Sequence, residues 1–175
     1  MRLSLTSCTV RSWAPGDVPS LVRHANNRRI WLNLRDRFPH PYTSSDGTSF
    51  IRRVRASVPE TTFAIEVDGE AAGGIGFMLL PDVERMSAEI GYWLGETHWG
   101  RGVCTEALRA VTLYAIEQHG LTRVFALPFA HNVASCRVLE KAGFVLEGLL
   151  RRSAIKDDRI VDQKLYGFVV EPDNR

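Results

Sequence analysis

Two glycines and an arginine stand near the middle of the chain, in the stretch His98-Trp99-Gly100-Arg101-Gly102-Val103-Cys104-Thr105. A strand-like segment ends near Gly95, and a helical pattern begins near Val103. The N–H groups in the first turn of a helix have no carbonyl partner within the helix, and the helix dipole adds partial positive charge there. The spacing therefore predicts an anion site that would hold a diphosphate, with Arg101 adding charge. An ordinary glycine-containing loop is the alternative interpretation.

The common nucleotide-binding patterns do not describe this stretch. Gly102 is followed by Val103 and not by Lys and Ser or Thr, which excludes a Walker-type phosphate loop. The glycines follow several predicted strands and do not form G-x-G-x-x-G, so a Rossmann dinucleotide site is not expected. A nucleotide-phosphate protein that uses this loop in another way stays an open alternative.

The elements that must position the loop alternate between strand-like and helix-like patterns. Predicted strands cover residues 3–11, 61–67, 71–80, 87–95, 122–127 and an antiparallel pair around Asp157-Asp158. Predicted helices cover about 18–27 with Asp17 as its cap, 48–57, 105–119, and 133–142 after the N-cap Asn132. Residues 31–47 are predicted to be irregular because they hold two prolines and several turn formers. The pattern predicts an α+β fold with a mostly antiparallel sheet of about seven strands, in one domain over residues 1–175.

Composition narrows the class of protein. A chain of 175 residues that is 45% hydrophobic has enough apolar material for one core. The apolar runs end well short of the ~18 residues of a membrane-spanning helix, and the start of the chain lacks a signal-peptide core, so a soluble cytoplasmic protein is expected. Cys8, Cys104 and Cys136 have no metal-ligand spacing and are expected to be reduced thiols.

Charge is unevenly distributed along the chain. Residues 1–59 hold ten arginines and three acids, a balance of +7, whereas the remainder holds twelve basic and seventeen acidic residues, a balance of −5. This asymmetry is typical of a solvated surface, and it would also draw in an anionic ligand or an acidic partner. A net charge of only +2 does not favour a nucleic-acid partner.

Two longer strings resemble the RimJ/RimL-like branch of the GNAT superfamily of acyl-CoA-dependent N-acetyltransferases. They are "SAEIGYWLGETHWGRGVCTEAL" and "NVASCRVLEKAGFVLEG", and with "GGIGF" and "KDDRIVDQKLYGF" the resemblance covers about residues 60–170. The segments "VRSWAPGDV" and "RFPHPYT" extend it more weakly towards the N-terminus. The pyrophosphate signature of the superfamily, Q/R-x-x-G-x-G/A, falls on Trp99, Gly102 and Cys104. Trp replaces the Gln or Arg, and Cys replaces the final small residue, although a Trp-Gly-x-Gly loop is usual in this branch.

The resemblance implies the GNAT fold, a mixed but mostly antiparallel central sheet with a splayed central strand pair, flanked by helices. It implies acetyl-CoA as cosubstrate, with pantetheine amides on the backbone of residues 92–94 and the diphosphate on N–H groups of residues 100–105. Lys141 is a further candidate for phosphate charge. The cofactor-binding residues that it implies are Tyr92, Trp93, Leu94, Trp99, Gly100, Arg101, Gly102, Val103, Cys104, Thr105, Asn132, Ser135 and Arg137.

Catalytic roles also follow from the resemblance. Glu89 would act as the base, through water, because acyl transfer requires a neutral amine. Ser135 would protonate the leaving thiolate, since a hydroxyl can donate one hydrogen bond while it accepts another. The alternatives for the base are His98, His119 and His131, and an edge carboxylate without catalytic role is the alternative for Glu89. No metal is expected.

The acceptor would be a primary amine, either a protein N-terminus or a small molecule. Within residues 33–42, which also hold Phe38 and Tyr42, Asp36 could recognise the amine, and Arg35 and Arg37 a carboxylate or acidic peptide. Phe129, after the central strand, could line the same cleft, and a purely structural loop is the alternative for each of these residues. The expected partners are acetyl-CoA and this amine, without nucleic acid or membrane, in a monomer or homodimer. A non-catalytic acyl-CoA-binding module that acts as a sensor or scaffold is the alternative function.

Overall fold

The computed structural model describes residues 1–170. The strands are β1 (Arg2–Ser4), β2 (Thr9–Ser12), β3 (Thr62–Val67), β4 (Glu70–Leu79), β5 (Ser87–Leu94), β6 (Arg123–Ala126), β7 (Val145–Lys156) and β8 (Arg159–Val169). The helices are α1 (Val18–Ala25), α2 (Arg28–Trp31), α3 (Ser44–Ala56), α4 (Val103–His119) and α5 (Val133–Lys141). Short 3₁₀ turns lie at Pro15–Asp17, Asp82–Glu84 and Glu96–His98.

All eight strands belong to one sheet in the order β1-β2-β3-β4-β5-β6-β8-β7. The pairs β1–β2, β2–β3, β3–β4, β6–β8 and β7–β8 are antiparallel, and β5 runs parallel to β6. The predicted mixed, mostly antiparallel sheet is confirmed. The sheet has eight strands, one more than the expected number of about seven. The difference arises because residues 3–11 form two strands and a turn in place of one strand.

The parallel pair β5–β6 has a short register. It joins Ser87 to Arg123, Ala88 to Val124 and Glu89 to Phe125 and goes no further, although β5 extends to Leu94. The ladder with β6 therefore ends within β5, as expected for the splayed strand pair of the GNAT fold.

The chain divides into two compact units. The first contains Met1–Gly76 and Tyr92–Ala107, and the second contains Phe77–Gly91 and the chain from Leu108 onward. The single domain expected over residues 1–175 stays a prediction. The core of the first unit consists of buried residues from the N-terminal helices and from β3 and β4: Trp13, Leu21, Ala25, Tyr42, Ile51, Val54, Ala64 and Ala71.

The second unit has its own core around β6, β8 and α5. Tyr166 is fully buried, and its hydroxyl donates a hydrogen bond to Glu140 at 2.8 Å. Phe144 packs against Phe168 with ring centroids 5.6 Å apart. The bond to Glu140 holds α5 against β8, and the Phe144 contact holds the segment between α5 and β7 against the same strand.

Two predictions about the N-terminal region are wrong. Residues 31–47 are not wholly irregular, because α3 already begins at Ser44, after a capping box in which Thr43 and Asp46 bond each other's backbone N–H groups. Asp17 does stand at the N-cap of α1, but its carboxylate makes no capping bond there. It accepts hydrogen bonds from Arg11 at 2.8 and 2.9 Å and from the N–H of Ala14 at 2.8 Å.

Among residues 1–170, no helix has both the length and the apolar character that a membrane span requires.

Candidate active site

The glycine loop connects the end of β5 to α4. Gly100 and Gly102 have φ angles of +76° and +81°, in the left-handed region that side chains other than glycine rarely adopt. A Cβ atom at either position would meet nothing within 4 Å, so the space beside the loop is open and the requirement for glycine is conformational. The N–H of Glu106 donates to the carbonyl of Gly102 at 3.1 Å, which makes the first hydrogen bond of the helix. The predicted loop and helix start are therefore both present, in the geometry of an anion site.

Trp99 closes the loop onto the end of β5. Its indole Nε1 donates a hydrogen bond to the carbonyl of Leu94 at 2.7 Å. The guanidinium of Arg29 lies 5.1 Å from the centre of the indole, and Arg29 also forms an ion pair with Glu96. Asn27 donates to the same carboxylate at 2.7 Å. The loop is thus bound to the segment around α2.

Arg101 lies between two acceptors. Its Nη1 is 3.1 Å from Nδ1 of His98 and 3.4 Å from a carboxylate oxygen of Asp68. Burial, and then the charges of His24 and Arg101, lower the pKa of His98 below its usual range. The imidazole of His98 is therefore kept neutral beside the arginine.

The first turn of α4 contains Cys104 and Glu106. Burial raises the pKa of the Cys104 thiol to about 12, so the thiol stays protonated at neutral pH and is not an activated nucleophile. Glu106 accepts hydrogen bonds from the N–H groups of Thr6 and Ser7 at 2.8 Å each, and from the Ser7 hydroxyl. These bonds, led by that of the hydroxyl, lower the pKa of Glu106 to about 2. The β1–β2 turn is thereby fixed to the start of α4.

Residues 92–94 at the end of β5 pack against β4. The N–H of Gly95 donates to the carbonyl of Ala72 at 2.8 Å, and Leu94 is buried. Trp93 is half-buried, and its indole occupies space above Gly74, where a Cβ would lie only 2.8 Å from Nε1. Close packing at Gly74 therefore sets the position of this indole.

The predicted acceptor residues of the first unit differ in their surroundings. Phe38 is half-buried, with its ring centroid 4.9 Å from that of Tyr42 and 5.6 Å from that of Trp93. Arg35 and Asp36 are exposed on the segment that joins α2 to α3. The structure thus brings Phe38 together with the predicted cofactor-binding residue Trp93.

In the second unit, Asn132 and Ser135 meet at the start of α5. The Asn132 Oδ1 accepts the N–H of Ser135 at 3.1 Å, which confirms the predicted cap. The NH₂ group of the Asn132 amide takes no part in this bond. Ser135 is half-buried, and Arg137 is exposed one residue beyond Cys136.

The remaining candidates lie elsewhere in the second unit. Glu89 is half-buried on β5, opposite Phe125 in the register with β6. Phe129 is only 7% exposed, bridges to Gln163, and stacks on His131 at 5.6 Å. His119, an alternative base, packs edge-on against Phe77.

Three functional candidates were missed by sequence reasoning, namely His24, Glu70 and Glu106. Nε2 of His24 lies 2.9 Å from Oε1 of Glu70, 46 residues away along the chain, and Glu106 bonds residues 99 and 100 positions away. Local patterns carry no signal for partners so distant in sequence.

Comparison with known proteins agrees with this geometry. The family model for the acetyltransferase (GNAT) domain matches residues 8–145, so the chain belongs to the GNAT acetyltransferase family. The chain is 38% identical over 100 residues to the uncharacterized N-acetyltransferase YoaA of Bacillus subtilis, over 57% of this chain and 56% of that protein. It is 32% identical over 109 residues to the ribosomal-protein-serine acetyltransferase of Escherichia coli, over 62% of this chain and 60% of that protein. The chain thus spans less than two thirds of the length of these relatives.

A solved structure resembles the whole fold. Mycobacterium smegmatis RimJ, in complex with CoA-disulfide, superimposes with a TM-score of 0.79 and 26% identity, covering 96% of this chain and 84% of that one.

Proposed function

We propose that the protein is an N-acetyltransferase that moves an acetyl group from acetyl-CoA to a primary amine. The observation that carries the proposal is the loop of residues 99–102, whose two left-handed glycines precede the first turn of α4 in a chain of the GNAT family. RimJ, which has this fold, is named in complex with a form of CoA. The glycine loop of this chain would hold the diphosphate of CoA.

The residues of the first unit fit such a ligand. The N–H groups of Val103, Cys104 and Thr105 precede the first hydrogen bond of α4, so they would donate to phosphate oxygens, and the guanidinium of Arg101 would add charge. The backbone of Tyr92–Leu94 would pair with the pantetheine amides as an added strand does. When bound, acetyl-CoA supplies an activated acetyl group as a thioester.

Residues of the second unit would carry out the proton transfers. Glu89 would accept the proton of the attacking amine, through water, while the amine nitrogen bonds to the acetyl carbon and the carbon–sulfur bond breaks. Ser135 would donate its hydroxyl proton to the departing thiolate and regain a proton from solvent. The NH₂ end of Asn132, which takes no part in the bond to Ser135, would donate to a pantetheine carbonyl.

The acceptor class that we propose first is a protein N-terminus, because a curated relative is named as a ribosomal-protein-serine acetyltransferase. The exposed Arg35 would suit an acidic peptide, and the Phe38–Trp93 pair would suit an apolar group next to the amine. Small-molecule amines are the second class.

Thiol release with a panel of acceptors tests the proposal. Purified protein would be incubated with acetyl-CoA and either peptides that begin with serine, the same peptides with blocked N-termini, or small amines. We expect thiol release that depends on a free amine, with a matching mass increase of the acceptor. Binding of acetyl-CoA without turnover on any acceptor would identify a non-catalytic module. Stronger protection against heat by ATP or NAD than by acetyl-CoA would refute the cofactor assignment.

A further inference from the structure

A network of polar side chains in the first unit, joined by hydrogen bonds and one contact between imidazole rings, contacts the glycine loop. The β3–β4 turn presents Asp68, the start of β4 presents Glu70, and α1 presents His24. The segment between β5 and α4 presents His98 and Arg101. Glu70 bonds His24 at 2.9 Å, the imidazoles of His24 and His98 are 5.3 Å apart, and His98 bonds Arg101 at 3.1 Å. The loop is thereby connected to two other parts of the fold.

The direction of the last hydrogen bond follows from the chemistry of its two groups. A guanidinium has only donors, so Nδ1 of His98 must be the acceptor and the ring proton must lie on Nε2. His98 is 7% exposed, whereas the side chain of Arg101 is 48% exposed. A buried acceptor therefore holds one side of a solvent-facing arginine.

The packing beneath His98 restricts its movement. The ring of His24 lies against Gly95, where a Cβ would come within 2.4 Å of Nδ1. Glu70 holds the other nitrogen of His24 and also forms an ion pair with Arg23. The beginning of the loop thus rests on an imidazole that Glu70 bonds at Nε2 and that packs closely against the backbone of Gly95 on its Nδ1 side.

We infer that His98 is a positioning residue for the cofactor diphosphate, holding Arg101 in place before the anion binds. The inference rests on the proposed function, which assigns Arg101 to the diphosphate. An exposed arginine loses much side-chain entropy when it is fixed, and a neighbour that fixes it in advance removes that cost from binding. Asp68, 3.4 Å from the same guanidinium nitrogen, limits how far Arg101 swings away.

The same cluster offers a metal site as a rival interpretation. One ligand atom each from His24, Glu70 and His98 lies within 4.8 Å of the others. Two of these three residues, however, already bond arginines: Glu70 bonds Arg23, and His98 bonds Arg101. Positive charge on both sides opposes a bound cation and favours the network.

The test compares two substitutions of His98. His98→Leu removes the acceptor, and His98→Asn restores an acceptor because its amide oxygen takes the place of Nδ1. The dissociation constant of acetyl-CoA would be measured by calorimetry for both, with His40→Leu on an exposed segment as control. S-acetylpantetheine, which lacks the diphosphate, would be measured alongside, and melting temperatures would verify folding.

We expect His98→Leu to weaken acetyl-CoA binding about five- to tenfold, with His98→Asn within about twofold of wild type. Binding of S-acetylpantetheine should be the same in all variants. In an Arg101→Met background, His98→Leu should have no further effect, since the two residues act as one unit.

Three binding results would each overturn the inference: unchanged acetyl-CoA binding in folded His98→Leu, an equal loss for S-acetylpantetheine, and additive effects of His98 and Arg101. Stabilisation of the wild type by Zn²⁺, lost in His24→Leu, would overturn it in favour of a metal site. Failure of the wild type to bind acetyl-CoA at all would instead refute the proposed function, so the two failures are distinguishable.

Discussion

The indole Nε1 of Trp99 donates a hydrogen bond to the carbonyl oxygen of Leu94 at 2.7 Å. Trp99 stands where the superfamily signature has Gln or Arg. In this chain, the side chain at that position bonds the backbone at the end of β5 and closes the loop onto the strand. The tryptophan that departs from the signature therefore supplies a hydrogen bond between the loop and the end of β5.

Replacing Trp99 with phenylalanine would keep an aromatic ring beside Arg29 but remove the donor to Leu94. We expect the dissociation constant of acetyl-CoA to rise about two- to tenfold, because a looser loop must be ordered during binding. Trp31→Phe, on α2, serves as the control for loss of an indole. Calorimetry would show both effects, and unchanged affinity in Trp99→Phe would mean that the hydrogen bond has no part in binding.

Gly102→Ala tests the backbone conformation of the loop. The φ angle of +81° disfavours alanine by about 1–2 kcal/mol, although its methyl group would meet no neighbour within 4 Å. We expect acetyl-CoA affinity to fall about tenfold as the loop shifts to relieve the strain. Gly16→Ala is the matched control, because Gly16 also has open space but no left-handed φ. Equal affinities for the two variants would refute the requirement for a left-handed residue at Gly102.

Much of the fold could be predicted because its signals are local. Several helix boundaries depend on neighbouring residues alone. Asn132, three residues before Ser135, marks the start of a helix, and Gly120 and Gly143 mark helix ends. The capping box Thr43–Asp46 is also local, and the prolines nearby concealed it. The split of residues 3–11 was not predictable, because the turn is held by Glu106, about a hundred residues away.

The candidate site, like the fold, could be predicted from sequence only where its signals are local. The glycines of the loop could be located from their spacing, since a left-handed conformation selects a residue type. The contact of Arg101 with Asp68 and that of His98 with His24 could not, because Asp68 and His24 reach this region only through the folding of β3, β4 and α1. Sequence therefore indicates which residues form the loop, whereas the tertiary structure determines what holds it.

Ser135→Ala tests whether Ser135 acts in the acetyl-transfer step or in the binding of acetyl-CoA. The backbone N–H of Ser135, which Asn132 caps, is retained in the variant, so α5 should stay intact. We expect kcat to fall about 100-fold while the dissociation constant of acetyl-CoA changes little, since a general acid acts in the transition state. Steady-state kinetics with a serine peptide would measure both. Equal turnover in the variant and the wild type would remove Ser135 from the mechanism.

Glu89→Gln tests the proposed base. Glutamine has nearly the same shape and keeps the pairing of residue 89 with Phe125, but it cannot accept the proton. We expect a fall in kcat of about 100-fold with unchanged acetyl-CoA affinity. Glu117→Gln, at an exposed position of α4, controls for loss of a carboxylate. If Glu89→Gln turns over as fast as Glu117→Gln, then water or the substrate itself removes the proton.

Glu106→Gln should destabilise the protein in a pH-dependent manner. The pKa of Glu106 is lowered to about 2 by hydrogen bonds led by that of the Ser7 hydroxyl. A lowered folded-state pKa adds stability that is complete above the unfolded value near 4.5 and is lost as the pH falls through about 2.

We therefore expect Glu106→Gln to lower the free energy of unfolding at pH 7 by about 1 kcal/mol, a modest amount because water screens a half-exposed carboxylate. The difference from wild type should shrink between pH 4.5 and pH 2. Chemical denaturation over this range measures it, with Glu117→Gln as a control that should show no such dependence. A difference of constant size from pH 7 to pH 2 would mean that Glu106 stabilises the start of α4 by packing and not by its charge.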